Sequence, residues 1–252
     1  MSKRGLITRR GLMVAGLATV GGVVLARSPK LLPPTYGHLL RMGDTLTYAT
    51  HRALLPGQAL AREFERSAIT SFPAIGTTDP GASVKSALGQ AYKIHQAAGF
   101  ADWKLRVEGL VDHPRDFTLA ELKALASRTQ VTRHTCEEGW SAIAEWTGVP
   151  LGAVLHAAGM QPSARFVTVT TVDEWADSLD LFDALHPQTL LAYGMNGHDL
   201  PVRHGGPVRL RVERQLGYKS LKFLHKLVVT DVLDDGGAFG SIQNGWAWYT
   251  GI

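Results

Sequence analysis

Apolar and polar positions alternate with period two from Trp103 to Glu108: Trp103, Leu105 and Val107 are separated by Lys104 and Arg106. This is the pattern of a half-buried strand, and Gly109 closes it. Thr118-Leu-Ala-Glu121 reads as a capping box. It opens a short helix that places Leu119, Leu122, Leu125 and Ala126 on one face. Gln130 to Thr135 is polar and β-branched enough for a strand that delivers Cys136 at its end, with Glu137-Glu138-Gly139 turning away. Pro150 starts a second short helix with Leu151, Val154, Leu155 and Ala158 on one face, and Gly159 ends it. Further strands are expected at Arg165 to Val172 and Pro207 to Glu213, and a strand region at Leu221 to Val232. In the second of these, Val208, Leu210 and Val212 oppose Arg209, Arg211 and Glu213. Strands and short helices mix without a βαβ rhythm, so the expected class is α+β.

Ahead of this core, residues 27–100 carry Pro29, Pro33, Pro34, Pro56, Pro73 and Pro80. They read as an irregular arm packing on the core, with short helical patches such as Gly57 to Arg66. Residues 1–10 are basic and acid-free, and they run into the uncharged stretch Gly11 to Ala26. As a helix that stretch reaches roughly 24 Å, short of a ~30 Å hydrocarbon core, so a signal peptide is expected over residues 1–26. Thr8-Arg9-Arg10-Gly11-Leu12-Met13 resembles the twin-arginine export signal. The reading is therefore a periplasmic protein exported already folded, which favours a cofactor inserted beforehand. Residues 101–252 are the expected catalytic core.

Composition narrows the chemistry. With 45% apolar residues the chain is globular rather than disordered. The net charge of +4 comes from the leader, because Lys3, Arg4, Arg9 and Arg10 leave with residues 1–26 and 22 basic face 22 acidic residues in the remainder. No nucleic-acid partner is expected of a neutral body. Cys136 is the single cysteine, which excludes a disulfide, a Cys-x-x-Cys site or an iron–sulfur cluster within one chain. Residues 203–226 hold seven bases and one acid interleaved with Val208, Leu210, Val212, Leu221, Phe223 and Leu224. This is a structured basic segment that wants an anion. No Gly-x-x-x-x-Gly-Lys-[Ser/Thr] or Gly-x-Gly-x-x-Gly occurs to make that anion a nucleotide.

Several motifs agree in order. His134-Thr-Cys136-Glu-Glu-Gly-Trp140-Ser141 and Trp146-Thr-Gly-Val-Pro-Leu151 are followed by Thr171, Leu185-His186-Pro187 and Asn196-Gly197-His-Asp-Leu-Pro201. His204-Gly-Gly-Pro-Val-Arg209-Leu210 and Leu216-Gly-Tyr-Lys219-Ser220-Leu-Lys222 complete the series. Over residues 101–232 the chain resembles the sulfite oxidase family of molybdopterin-dependent oxidoreductases. Within it, the chain is most similar to the bacterial periplasmic branch that includes the protein-methionine-sulfoxide reductase catalytic subunit. The resemblance implies a sulfite-oxidase-type molybdopterin-binding fold without a C-terminal immunoglobulin-like dimerisation domain. It implies molybdenum–molybdopterin, one pterin per chain, with Cys136 as the metal ligand and catalytic residue. His204 and Arg209 are implied as pterin contacts, Lys219, Ser220 and Lys222 as phosphate contacts, and Thr171 as a further cofactor contact.

Family members contribute arginine, asparagine and histidine from the arm. The matching stretch here is Ser71-Phe72-Pro73-Ala74-Ile75, so backbone groups are expected to take their place. The acidic and aromatic loop Glu137-Glu138-Gly139-Trp140 ranks reduction of S-oxides or N-oxides, small or protein-bound, above sulfite oxidation. Trp140 and Trp175 are candidate pocket walls. The electron partner is expected to be a separate cytochrome, membrane b-type or soluble c-type. Two readings from other classes stand beside this one: a metal-free thiol enzyme pairing Cys136 with His134 or another histidine, and a cofactor-free binding subunit.

Overall fold

The computed structural model describes residues 39–55, 59–233 and 246–252. In chain order these give helices α1 (Leu39–Leu54), α2 (Pro80–Ser83) and α3 (Ala87–Ala97), strands β1 (Lys104–Gly109) and β2 (Arg115–Thr118), and helix α4 (Leu119–Ala124). Strands β3 (Arg128–Thr135) and β4 (Ser141–Pro150), helix α5 (Leu151–Ala157), strands β5 (Phe166–Thr171) and β6 (Ala176–Asp180) and helix α6 (Leu181–Ala184) follow. Strands β7 (Leu190–Met195), β8 (His198–Asp199), β9 (Arg209–Arg211) and β10 (Leu224–Thr230) complete the set. The class is α+β. No helix among the described residues is long and apolar enough to cross a membrane.

Two sheets share one core. The first has the order β2-β1-β10-β5-β6, with β1 and β10 parallel and the other pairs antiparallel. The second runs β3-β4-β7-β8, and β9 pairs with β7 beside β8. Leu105, Val107, Val167, Val169, Leu227 and Val229 of the first sheet pack in one buried cluster with Val149, Leu191 and Leu210 of the second. Leu151, Val154 and Leu155 of α5 join that cluster. The alternation read in Trp103 to Glu108 appears in β1, where Leu105 and Val107 are fully buried between exposed or half-buried charges. The capping box at Thr118 forms, with Glu121 N–H donating to Thr118 Oγ1 and Thr118 N–H to the Glu121 carboxylate.

Three expectations change. Residues 27–100 are less irregular than expected, since α1 and α3 run for 16 and 11 residues. The helical patch at Gly57 to Arg66 falls partly outside the described residues, and from 59 to 65 the chain is not helical. There Glu63 bridges Thr132, while Phe64 and Thr70 N–H donate to the Val131 and Ile143 carbonyls. The edge of β3 captures the backbone at Glu63 and Phe64, and β4 that at Thr70, so strand hydrogen bonds displace a short helix that had little to bury. In the segment around β9 both faces are buried: Arg209, Arg211 and Glu213 are as enclosed as Val208, Leu210 and Val212. The signal-peptide reading lies outside the described residues.

Helix α1 is tied to the core through charge. Arg52 Nη2 lies 2.9 Å from Asp180 Oδ1 and 2.8 Å from Asp183 Oδ2, and its guanidinium stacks on Tyr48, Phe182 and Tyr249. Trp248 and Tyr249 of the aromatic tail pack on the core beside Phe166.

Candidate active site

Strands β3 and β4 form an antiparallel hairpin from Arg128↔Gly148 to Thr135↔Ser141. Cys136 stands at its tip. Its N–H donates to the Trp140 carbonyl at 2.9 Å, and Gly139 turns the loop at φ +90°, a value that suits glycine. A cavity of about 240 Å³ opens there. Its lining gathers four separate stretches: the hairpin with His134, Cys136, Glu137, Glu138 and Trp140; the arm from Phe72 to Thr77; Asp173 and Trp175; and the basic segment from Arg203 to Lys222. Trp246 adds a further aromatic wall. The site is thus assembled from stretches distant in sequence, and Trp140 and Trp175 both border it.

Cys136 is 3% exposed, and its Sγ lies 3.5 Å from a Glu137 carboxylate oxygen. Burial, with Glu137 and Glu138 adding negative charge, pushes the free thiol up to about 11. Activated thiols sit in electropositive surroundings that pull the other way. His134 Nδ1 is 2.7 Å from Arg211 Nη1, and the Cys136 thiol makes its hydrogen bond to Glu137 rather than to a histidine. The metal-free thiol reading thus finds an unactivated thiol here. A bound metal would deprotonate the same sulfur outright.

Of the expected cofactor residues, His204, Arg209, Ser220 and Lys222 line the cavity with Cys136. His204 ends a 3₁₀ turn, Val202–His204, and is neutral at pH 7, because burial and the cations Arg203, Arg209 and Lys222 bring it down to about 4. Arg209 donates from Nη1 to the His204 carbonyl at 2.9 Å and from Nη2 to the Ser220 carbonyl at 2.8 Å. Lys222 Nζ donates to the carbonyls of Ile75, at 2.7 Å, and Thr77. Backbone from the arm thus enters the site through carbonyls that hold Lys222. Gly205 and Gly206 permit this crowding: a Cβ on Gly205 would come within 2.9 Å of the Lys222 side chain, and one on Gly206 within 2.5 Å of the Leu200 carbonyl.

Two expected residues do not reach the cavity. Lys219 is fully buried and gives its ammonium to Asp177 and to the carbonyls of Ser178 and Trp248, at 3.0 and 2.7 Å. An ammonium fully engaged with a carboxylate and two carbonyls is not a phosphate grip. Thr171 Oγ1 donates to Asp173 at 2.7 Å and accepts from Trp175 N–H at 3.0 Å. It shapes the turn that carries two wall residues. Arg211 also turns away, into a buried bidentate pair with Glu213 at 3.0 and 2.7 Å. Trp246 was not expected at the site, and no local pattern marks it. Phe72 and Tyr218 fall inside the arm stretch and the Leu216–Lys222 motif singled out above, but neither had been named as a wall residue.

The charge left in the cavity wall is specific. Arg209 is 4% exposed and its Nε has no partner. Neither Arg209 nor Lys222 has a carboxylate within ion-pair distance among the described residues, and every hydrogen bond they make ends on a carbonyl. Burial brings Arg209 down to about 9, with Arg211 contributing, and Lys222 to about 8, with Arg209 contributing. A buried Arg209 and a half-buried Lys222 without an ion-pair partner are costly, and an anion in the cavity would balance both. A soft thiolate on one side and anion-seeking cations on the other fit a sulfur-ligated metal carried by a phosphorylated cofactor.

Residues 91–236 match the oxidoreductase molybdopterin-binding domain model. The chain belongs to this family. It is 42% identical over 151 residues, 60% of its length, to a protein of Azospira oryzae that carries the provisional name protein-methionine-sulfoxide reductase subunit YedZ1, covering 56% of that protein. It is 32% identical over 183 residues, 66% of its length, to the protein-methionine-sulfoxide reductase catalytic subunit MsrP of Xanthomonas axonopodis pv. citri, covering 53% of that protein. The chain spans about half the length of the curated relatives it matches. The sulfane dehydrogenase SoxCD of Paracoccus pantotrophus shares the fold, with a TM-score of 0.51 at 24% identity over 57% of this chain and 40% of that one. The chain is accordingly an oxidoreductase of the molybdopterin-binding type.

Proposed function

We propose that this chain is a periplasmic molybdopterin oxidoreductase that removes the oxygen atom from S-oxides, methionine sulfoxide among them, or from N-oxides. One observation carries the reading: the Cys136 thiol shares a cavity with the buried Arg209 and the half-buried Lys222, neither of them ion-paired among the described residues, beneath aromatic walls. When bound, the molybdenum–pterin group would supply the two-electron redox chemistry that oxygen-atom removal requires. Cys136 would be its protein ligand. His204, Arg209, Ser220 and Lys222 would hold the one pterin and its phosphate, with the Ile75 and Thr77 carbonyls fixing Lys222 in place. Lys219 and Thr171 would act indirectly, by holding the walls.

The residues favour a neutral substrate. Glu137, Glu138 and Asp173 line the cavity and repel a dianion such as sulfite, whereas Phe72, Trp140, Trp175 and Trp246 offer an apolar wall for the substituents on sulfur. The names of the relatives support the same direction. The overall reaction consumes the S-oxide, two electrons and two protons, and yields a sulfide and water. A chain with one cysteine has no Cys-x-x-Cys-His haem attachment site, so the electrons would come from a separate cytochrome, membrane b-type or soluble c-type. A paired steady-state assay tests the direction. Dye-reduced holoenzyme is expected to reduce methionine sulfoxide or dimethyl sulfoxide faster than oxidised enzyme oxidises sulfite. Robust sulfite-dependent cytochrome c reduction, with no turnover of any S-oxide, would overturn the proposal.

A further inference from the structure

We infer that His134 is a fixed hydrogen-bond donor beside Cys136: Arg211, pinned by Glu213, holds its Nδ1 as an acceptor, so that Nε2–H is presented into the cavity to the oxygen of a bound S-oxide. The identity of the acceptor rests on the function proposed above. The lock itself does not.

A guanidinium only donates, so the 2.7 Å contact from Arg211 Nη1 requires the lone pair of His134 to be on Nδ1. The neutral ring then carries its proton on Nε2. Arg211 cannot swing away, because Glu213 takes both its Nε, at 3.0 Å, and its Nη2, at 2.7 Å. Glu213 is steadied in turn by Gln130 Nε2 at 3.1 Å, which also donates to the Gln188 carbonyl at 3.0 Å. All four side chains are buried. A buried polar chain that is satisfied at every member is rigid, and this one ends on a single unfilled proton.

That proton faces the site. His134 and Cys136 are two positions apart along β3 and its extension, on one face, and both line the cavity. Phe72 and Trp140 clamp the ring, with centroids at 5.2 and 5.5 Å. Among the described residues no protein acceptor meets Nε2. Gly217 keeps the space before it open, since a Cβ there would come within 2.4 Å of that nitrogen. Unlike the Arg209 Nε, His134 Nε2 is not sealed off, so an acceptor held in the cavity can reach it. His134 would touch the substrate, whereas Arg211, Glu213 and Gln130 act through it as positioning residues.

Imidazole nitrogen NMR of the full-length holo protein at pH 7.5 tests the lock, with the His134 signals assigned by their loss in His134→Gln. The expected result is a neutral ring protonated on Nε2, which becomes a mixture of tautomers in Arg211→Met. A ring protonated on Nδ1, or identical signals in Arg211→Met, would overturn the inference. Kinetics tests the donation. His134→Phe keeps the ring shape without the proton and is expected to lose at least about tenfold in kcat/KM for methionine sulfoxide at unchanged molybdenum and pterin content. His134→Gln, which restores an N–H, is expected to recover most of that loss. Wild-type kcat/KM in a fully loaded His134→Phe enzyme would also overturn the inference. A holoenzyme that reduces no S-oxide would sink the proposed reaction and the named acceptor, while the tautomer measurement would still decide the lock.

Discussion

Lys219 and Lys222 stand three positions apart in one basic run and have opposite employment. Lys219 neutralises Asp177, 42 residues away, whereas Lys222 borders the cavity and its hydrogen bonds go only to carbonyls. Lys219→Met leaves a buried carboxylate unpaired and should destabilise the fold by about 3–5 kcal/mol in urea denaturation. Lys222→Met should leave stability nearly unchanged but weaken cofactor retention through desalting by about 1.5–3 kcal/mol, one charge-assisted contact. Equal effects of the two substitutions on retention would contradict this division. Lys222 also sets a pH window. Its folded value, about 8, lies below its ordinary 10.5, so the apo protein gains stability as pH rises between those values. An anion needs the ammonium form, so retention should be full below pH 8 and fall above it by up to about 1.4 kcal/mol per pH unit. The fall should vanish in Lys222→Met. The sequence showed that this run wants an anion. It could not show which side chains face it, because that depends on Asp177, Glu213 and the arm, all remote in sequence.

Elements with a local signature were legible and those defined by remote partners were not. β1, the α4 capping box and the strand ending at Cys136 carry their own periodicity or cap, and the structure contains them. β7 is an apolar run too short to distinguish strand from helix, and β4 buries Glu145 and Trp146 side by side, which hides its alternation. The Arg-x-Arg-x-Glu face around β9 reads as solvated yet is buried, because each charge finds a partner or borders the cavity. Helix α1 was missed since its attachments are all to remote partners: Arg52 sits between two aspartates and three aromatic rings, and Tyr48 and His51 hydrogen-bond to Asp180 and Tyr249. Arg52→Met should leave Asp180 and Asp183 uncompensated and cost about 3 kcal/mol or more. Limited proteolysis should then cut within residues 39–55 well before the core. Unchanged resistance there would show that the remaining contacts hold the helix without Arg52.

At the scale of the whole molecule, two sheets bring four distant stretches to the tip of one hairpin, and the lone cysteine becomes the point on which they converge. Export is tested apart from the fold. Changing Arg9 and Arg10 to Lys preserves charge and should leave the precursor in the cytoplasm, whereas unimpaired periplasmic accumulation would refute the twin-arginine route. The central claim is that Cys136 and its facing cations hold a molybdenum–pterin group. The most direct measurement is elemental and pterin analysis of the full chain, purified from a host that makes the cofactor, beside its Cys136→Ser variant. The account expects close to one molybdenum and one pterin per chain in the wild type, and loss of turnover in the variant even where pterin remains. A metal-free wild-type protein with full activity, or a fully active Cys136→Ser enzyme, would contradict it.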